Sequence, residues 1–357
     1  MNGSFPATPA VDLFSGPGGL TLGMKASGVV PLCSVELRAD AVETYKRHTP
    51  DCDHHCGDIR EVDLTKYRGA AKLLYGGPPC QPFSTGGLRK GSKDSRDMIP
   101  AFLAAVDTVR PDALLMENVP GLLVQSRIHY LHGVLASLRQ LGYTPVWRLL
   151  NASHYGVPQN RRRLFVVAFK KQVFWFPKPT HGPGTVNALV PTSSVVSIEK
   201  PLGEPPECPV VYAKYPDLRP SPYAGQIYNG GGRPIDLSKP CHTILASAGG
   251  YKTHWVDTQG IAPKYHSHLK DGGAPWEGSV PGARRLTLEE SALIQTFPRS
   301  LAFAGRRSSQ YTQVGDAVPP MLAEHLGRAI VSQMHGETPT EATHLPSVEA
   351  PELLWQA

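Results

Sequence analysis

One stretch constrains this chain more than any other: Gly76-Gly77-Pro78-Pro79-Cys80-Gln81-Pro82-Phe83-Ser84. It follows Ala71 to Tyr75, a short apolar run that reads as a buried strand. Two glycines and three prolines fix the backbone around one cysteine, so the thiol is expected on a turn at the strand's end. In open α/β sheets that edge is where ligands bind. A thiol is a strong nucleophile only as the thiolate, so its surroundings decide its use. An isolated cysteine is commonly just a small buried hydrophobe. The proline frame around Cys80, together with motifs farther along the chain, makes it the candidate nucleophile instead.

At 357 residues and 41% hydrophobic content the chain can bury a sizeable core in one large domain or two. Charged residues are only 18%, and Gly and Pro number 35 each, a composition of many shaped loops. No signal-peptide pattern and no apolar run of membrane length is present, and six scattered cysteines include no Cys-x-x-Cys pair. These features predict a reduced cytoplasmic protein. The net charge of +6 includes a tail, residues 336–357, with four Glu and no Lys or Arg, so the body is more basic still. A basic body suits a polyanionic partner such as nucleic acid.

Along the chain, Val11 to Leu20 reads as strand, glycine-rich turn and helix start. Thr21 stands where the third glycine of a dinucleotide fingerprint belongs, which leaves a cofactor loop and a plain strand–helix turn both open. A second apolar run, Val29 to Val35, ends in Glu36, where this fold class places a carboxylate for ribose hydroxyls; a solvated surface Glu is the alternative. Ala39 to His48 reads as helix, and Cys52-Asp53-His54-His55-Cys56 as a polar connecting loop, since no second ligand pair follows to make a metal site. The basic, glycine-rich segment Thr85 to Asp97 is expected to be a mobile lid beside Cys80. Strands are expected at Ala113 to Met116, Val146 to Leu150 and Leu164 to Phe169, with helices around Phe102–Val109 and Leu131–Leu141 between them. Such alternation predicts an α/β fold with a mostly parallel sheet covered on both faces. From about Lys171 to Ala283 regular periodicity fades and the chain reads as a loop-rich, basic module. Thr287-Leu288-Glu289-Glu290 is a capping box, Gln313 to Pro320 reads as a turn, and Leu322, Leu326, Ala329 and Ile330 mark a final helix before a disordered tail.

Taken in order, these segments resemble the DNA (cytosine-5)-methyltransferase family of bacterial restriction–modification systems. Asp12-Leu13-Phe14-Ser15-Gly16-Pro17-Gly18-Gly19 resembles its first cofactor motif, Gly77 to Ser84 its nucleophile motif and Glu117-Asn118-Val119 its base-binding motif. Gln159 to Arg163, Arg285 to Thr287 with Ile294 to Pro298, and Gln313 to Pro320 resemble three more. The familiar last motif has Asn where this chain has Asp316, which bears on how the cofactor's amino-acid end is held. The resemblance implies a Rossmann-like S-adenosylmethionine-dependent methyltransferase fold, mixed in its sheet, with a smaller irregular target-recognition domain. It places the catalytic domain at residues 1–175, the recognition domain at 176–310, a returning helix at 311–335 and the tail at 336–357.

By the same resemblance Cys80 attacks carbon 6 of a flipped-out cytosine, Glu117 protonates nitrogen-3, and Asn118 orients the turn. Arg163 and, by analogy, Arg161 contact the base carbonyl or a phosphate and favour the Cys80 thiolate; a plain ion pair is the alternative for Glu117. The implied cofactor is S-adenosylmethionine, with Phe14 on the adenine, Glu36 on the ribose and Asp58 on the adenine amine. Ser15, Gly16, Gly18, Gly19, Leu20, Leu37, Ile59, Pro78, Asp316 and Val318 complete that pocket, and no metal is implied. Duplex DNA is the implied partner, contacted by Ser84, Arg89, Lys90, Ser95 and Arg96 of the lid. Arg233 and Lys252 would contact it from two candidate groove-reading loops, Asn229 to Arg233 and Ser247 to Thr253. A monomer, with a cognate restriction endonuclease acting separately, is the expected organisation. Three rivals stay open at this point: cytosine methylation in a transfer RNA, a catalytically silent relative, and a nucleotide-dependent oxidoreductase.

Overall fold

The computed structural model describes residues 5–80, 97–216 and 232–345. Seven strands form one sheet in the order β3-β2-β1-β4-β5-β7-β6. They are β1 (Thr8–Leu13), β2 (Val29–Glu36), β3 (Asp53–Cys56), β4 (Leu73–Gly76), β5 (Ala113–Asn118), β6 (Thr144–Asn151) and β7 (Arg162–Phe169). The first five pair in parallel, while β7 runs antiparallel to both β5 and β6. Strand β7 therefore begins at the edge where β4 and β5 end, and that reversal matters for the site.

Helices cover both faces, as the alternation predicts. On one side α3 (Ile99–Val109) and α4 (Ile128–Gln140) bury Phe102, Val106, Leu131, Val134 and Leu138 against Val11, Leu74, Leu114 and Val166. On the other, α1 (Gly19–Ala26) and α8 (Pro320–Met334) bury Leu20, Met24, Leu322, Leu326 and Ile330 against Ala10, Leu73, Leu115 and Val167. Removing such side chains from water contributes about 1.5–3 kcal/mol apiece, which is why the sheet's apolar runs rather than its loops fix the architecture. Gly23 lets α1 and α8 approach: an added Cβ would lie 2.2 Å from the Pro320 carbonyl oxygen and 2.4 Å from the Glu324 amide nitrogen. Backbone atoms cannot swing aside, so Gly23→Ala is expected to destabilise the fold by about 1–3 kcal/mol. The measurement is urea denaturation, where the midpoint should fall with the slope unchanged; an unaltered midpoint would contradict the packing.

Thr21 explains the departure from the dinucleotide fingerprint. Its hydroxyl donates to Asp12 Oδ2 at 2.5 Å and lies 2.8 Å from the Tyr45 hydroxyl and 2.7 Å from that of Tyr75. A glycine there would leave three buried polar groups short of a partner. Burial pushes the Asp12 carboxyl up to about 7, with the bonds from Thr21 and Tyr45 opposing it.

After α2 (Ala39–Lys46), the segment expected as a polar loop at 52–56 contains an edge strand, β3, paired with β2. Its side chains show no apolar alternation because it lies at the margin of the sheet, so periodicity cannot find it. The His54 ring is used structurally, Nδ1 lying 2.8 Å from Ser34 Oγ and Nε2 2.9 Å from the Thr49 carbonyl. Among the described residues no cluster of His, Cys, Asp or Glu is arranged to hold a metal, and no helix is long and apolar enough to cross a membrane.

Beyond β7 the chain builds a smaller unit around a three-stranded sheet of β9 (Pro234–Ile235), β10 (Trp255–Asp257) and β11 (Ala283–Arg285), in the order β11-β10-β9. Two helices here depart from expectation. The first, α5 (Ile261–Lys270), lies where only irregular chain is expected; it turns Ala262, Tyr265 and Leu269 inward and carries Pro263 in its first turn, where proline is tolerated. The second, α7 (Arg307–Asp316), covers the first half of the expected Gly/Pro turn. Gly315 is required there because its Cβ would lie 2.3 Å from the Leu245 carbonyl carbon. The capping box does open α6 (Leu288–Ile294), with Thr287 accepting from Glu290 N and Glu290 from Thr287 N. Tyr311, Val314 and Ala317 pack with this smaller unit and Val318 with the large sheet, so the chain returns at 317–318 rather than 311. Of the tail expected to be disordered, β12 (His344–Leu345) pairs with β8 (Phe176–Pro177); residues 346–357 lie outside the described residues.

Candidate active site

Sheet order assembles the site. Strands β4 and β5 are parallel neighbours, so Gly76 to Cys80 leaves the sheet beside Glu117 and Asn118. The antiparallel β7 sets Leu164 opposite Asn118, which brings Arg163 to the same edge. An added Cβ on Gly77 would meet Glu117 Oε2 at 2.9 Å, so a larger residue there would press on that carboxylate. Asn118 Nδ2 donates to the Pro78 carbonyl at 3.0 Å while its own Oδ1 accepts from Val119 N at 2.9 Å. One side chain thus locks the cysteine turn to the end of β5. The chain comes back to the turn at Asp97, which bridges to Cys80, and at Met98, whose amide donates to the Pro79 carbonyl at 3.0 Å. Gln81 to Arg96 lies outside the described residues, and with it Ser84, Arg89, Lys90, Ser95 and Arg96.

Arg163 Nε lies 2.9 Å from Glu117 Oε1, with both side chains largely buried. Burial raises the Glu117 carboxyl above its usual range, opposed by Arg163 and Arg161 and assisted by Asp316. The expectation that Arg163 and Arg161 favour the Cys80 thiolate needs correction. Arg163 is engaged with Glu117, and Arg161 is fully buried, donating through Nη1 to the Ile244 carbonyl at 3.1 Å and through Nη2 to that of Gly315 at 2.8 Å. Arg161 therefore ties the catalytic sheet to the smaller unit and to the end of α7 rather than presenting its guanidinium to a base. Burial pushes the Cys80 thiol up to about 12; Asp97 raises it further and Arg127 opposes. Alkylation of Cys80 in the free protein should accordingly quicken about tenfold per pH unit from 7 to 10. Asp97→Asn should accelerate it at fixed pH by about threefold to tenfold, since one opposing charge is gone. A plateau below pH 9, read by mass spectrometry of the modified peptide, would contradict this.

Glu36, Phe14 and the glycine turn lie together at the ends of β1 and β2. Glu36 is buried and accepts from Gly16 N through Oε2 and from Arg38 N through Oε1, both at 2.9 Å. This is the carboxylate that the sequence marks twenty residues beyond Gly16. Phe14 and Gly16 both take left-handed backbone, φ 56° and 54°. For a non-glycine residue such a conformation costs about 1–3 kcal/mol, and nothing in the Phe14 sequence signals it. Ser15 Oγ is buried with no protein partner, and the position of a Cβ on Gly16 is open. Gly19 touches the far wall, where its Cβ would be 2.5 Å from the Val318 carbonyl. Leu20, Ile59 and Pro78 are buried, and Leu37 is 71% exposed. Asp58 accepts from Arg60 N and pairs with the Arg60 guanidinium, which pulls its carboxyl down to about 2.

In the smaller unit Gly232 packs against Thr253, an added Cβ falling 2.1 Å from its carbonyl oxygen, so the described ends of both candidate reading loops run side by side. Arg285, unassigned by sequence beyond its motif, holds the second of them: Nη1 donates to Thr253 O at 2.7 Å and Tyr251 O at 3.1 Å. Lys252 is exposed, Arg233 half-buried, and Asn229 to Gly231 lie outside the described residues.

The model of the C-5 cytosine-specific DNA methylase family matches residues 9–201 and 228–332. The Type II methyltransferase M.AplI of Arthrospira platensis is 35% identical over 90% of this chain and 84% of its own. M.NgoMIV of Neisseria gonorrhoeae is 31% identical over 92% and 98%. Among solved structures, the Dnmt2 methyltransferase of S. pombe shares the fold, with a TM-score of 0.67, 14% identity, and 93% and 100% of the two chains covered. With these likenesses added to the sheet and its catalytic edge, the chain belongs to the C-5 cytosine-specific DNA methylase family and is a DNA cytosine-5 methyltransferase.

Proposed function

We propose that this enzyme methylates carbon 5 of a cytosine flipped out of one specific duplex sequence, through a transient bond between Cys80 Sγ and carbon 6. What supports the reading is the convergence of the Cys80 turn with the buried Glu117–Arg163 pair at one sheet edge. Carbon 5 of cytosine is a poor nucleophile. A thiolate adding at carbon 6 breaks the ring's conjugation and moves electron density onto carbon 5, which then attacks a methyl group. Glu117, with its carboxyl raised by burial, can give the proton that nitrogen-3 needs as that density develops. Removal of the carbon-5 proton then returns the electrons that expel Cys80. Chemistry at carbon 6 needs the base out of the stack, hence the flipped nucleotide.

Family membership implies S-adenosylmethionine, and the residues at the turn fit it. Ser15 Oγ is buried and unpartnered, space opens over Gly16, and Glu36 closes the side where a ribose would sit. When bound, the cofactor supplies an electrophilic methyl on a sulfonium. Phe14 would cover the adenine and Val318 the opposite wall, with Gly18 and Gly19 giving the backbone its close approach; Asp58 would have to share its carboxylate with Arg60 to reach the adenine amine. Lys252 and Arg233 would meet the duplex from the smaller unit. We assign residues 1–175 together with the returning helix α8 to catalysis and 176–317 to target recognition. We also read the enzyme as a cytoplasmic monomer working beside an endonuclease of the same target, as the Type II names of its relatives suggest.

The test is methylation of varied-sequence duplex DNA followed by bisulfite mapping. Methylated cytosine confined to one recurrent short site supports the proposal. Modification of transfer RNA alone, or of cytosines without regard to context, overturns it.

A further inference from the structure

Completing the reaction requires a base at carbon 5, and one carboxylate stands beside the nucleophile. Cys80 and Asp97 face each other across an isolated antiparallel bridge, continued next door by the Met98 amide donating to the Pro79 carbonyl at 3.0 Å. Residues opposed in this way project their side chains to one side, with Cβ atoms about 4.5–5.5 Å apart. Backbone pairing alone therefore sets the Asp97 carboxylate next to the Cys80 sulfur. The carboxylate is also held in one orientation. Its Oδ1 accepts from the Ile99 amide at 3.2 Å and its Oδ2 from the Tyr130 hydroxyl of α4. Each oxygen keeps a further lone pair.

The first step of the reaction does not call for that charge. Asp97 hinders ionisation of the Cys80 thiol, and the nitrogen-3 proton falls to Glu117, which pairs with Arg163. A later step does call for it. Sulfur bonded to carbon 6 occupies one face of the ring, so a methyl donor reaches carbon 5 from the other. As carbon 5 becomes tetrahedral, the incoming methyl pushes the hydrogen toward the face that carries sulfur. The base must then stand on the sulfur side, as Asp97 does. Resting on the covalent reading given above, we propose that Asp97 is the base that removes the carbon-5 proton and that Tyr130 is the residue that positions it.

With nitrogen-3 still protonated, carbon 4 is an amidinium carbon, which makes the neighbouring C–H acidic enough for a carboxylate. The C–H bond breaks and its proton passes to an Asp97 oxygen. The electron pair left behind forms the double bond between carbons 5 and 6. The bond from carbon 6 to sulfur breaks, and its pair leaves on Cys80 as thiolate. The nitrogen-3 proton returns to Glu117, and Asp97 gives its own to water.

Rapid-quench single turnover, with methyl-tritiated S-adenosylmethionine and duplex DNA carrying the mapped site, separates methyl transfer from elimination. In Asp97→Asn the first methyl transfer should be at least as fast as in the unaltered chain, while steady turnover falls about 10²- to 10⁴-fold. A denaturation-resistant protein–DNA adduct carrying the labelled methyl should accumulate on ordinary cytosine, and deuterium at carbon 5 should slow its decay. Tyr130→Phe keeps the carboxylate without its phenol partner and should slow turnover about threefold to tenfold, again with adduct. This milder variant carries the test if circular dichroism and the urea midpoint show Asp97→Asn to be unfolded. Methyl transfer and turnover that fall together without adduct, or a turnover that does not fall, overturn the proposal and leave Asp97 an anchor of the turn. If the unaltered chain forms no adduct with 5-fluorocytosine duplex, the covalent reading itself fails and the proposal with it, a result distinct from the other two.

Discussion

Replacing Cys80 by serine is expected to lower methyl transfer by at least about 10⁴-fold while S-adenosylhomocysteine affinity stays within about twofold. Serine keeps the size of the side chain, and its neighbours (the Asp97 bridge and the Pro79 carbonyl bonded to Met98) are backbone contacts that do not depend on sulfur. What is lost is the chance of ionising. Even the thiol is pushed to about 12 in this structure, and an alcohol lies several units higher again. The decisive readout is duplex DNA carrying 5-fluorocytosine: fluorine blocks the final proton removal, so an enzyme that adds through sulfur remains attached under denaturing conditions. The adduct should form with the unaltered chain and vanish in Cys80→Ser. Its persistence in the serine variant would remove Cys80 from the mechanism.

Glu117→Gln is the second large effect, about 10²- to 10⁴-fold in turnover, the range of a lost general acid. The shape of the pH profile says more than the size. In the free enzyme the active form needs Cys80 ionised and Glu117 protonated, although the thiol is the weaker acid. Below the raised Glu117 pKa, log kcat/KM should climb one unit per pH unit as thiolate accumulates. Above it, each gain in thiolate is cancelled by loss of the Glu117 proton, and the profile levels. The glutamine variant has no such cancellation and should keep climbing. A variant profile that levels where the unaltered one does would deny Glu117 its proton. The substitution also strips Arg163 of the anion 2.9 Å away, so Arg163→Lys, which keeps the charge but not the fork, is the control for simple loss of the pair.

The sheet and the glycine turn at its edge are legible in the sequence because their signals are local. Apolar runs such as Val29 to Val35 stop at a carboxylate, glycines gather where the backbone must turn, and the capping box of α6 shows in four residues. Strand β3 is invisible for the opposite reason: its partner and its position at the edge, not its side chains, make it a strand. Helix α7 is hidden by Gly315, which reads as a breaker but meets a tertiary demand, the passage of the Leu245 backbone. The site divides in the same way. Cys80, Glu117 and Glu36 can be named from motifs. That Arg161 turns inward to carbonyls of Ile244 and Gly315, while Arg163 takes Glu117, depends on which way adjacent residues of β7 point and on chain more than 80 residues distant. Arg38 and Asp316, ion-paired at 3.1 Å, are positions that no pattern in either stretch connects.

The packing of α8 on α1 carries a consequence for how the enzyme is made. Ser27 Oγ donates to the Glu324 carbonyl across 297 residues of sequence, and Gly23 fits under Pro320 at the same contact. At about 5–20 residues per second, a ribosome takes roughly 15–60 s to travel from one side of that contact to the other. Through that interval Leu20 and Met24 lack the face of α8 that buries them, and Gly19 lacks the Val318 wall. A nascent chain will have emerged with the whole of its smaller unit before the turn at Gly16 to Gly19 gains its far wall. Chains cut short anywhere before α8 should therefore be inert toward the genome rather than unselective. For an enzyme that marks DNA, completion of α8 is thus the expected point at which an unfinished chain becomes able to act.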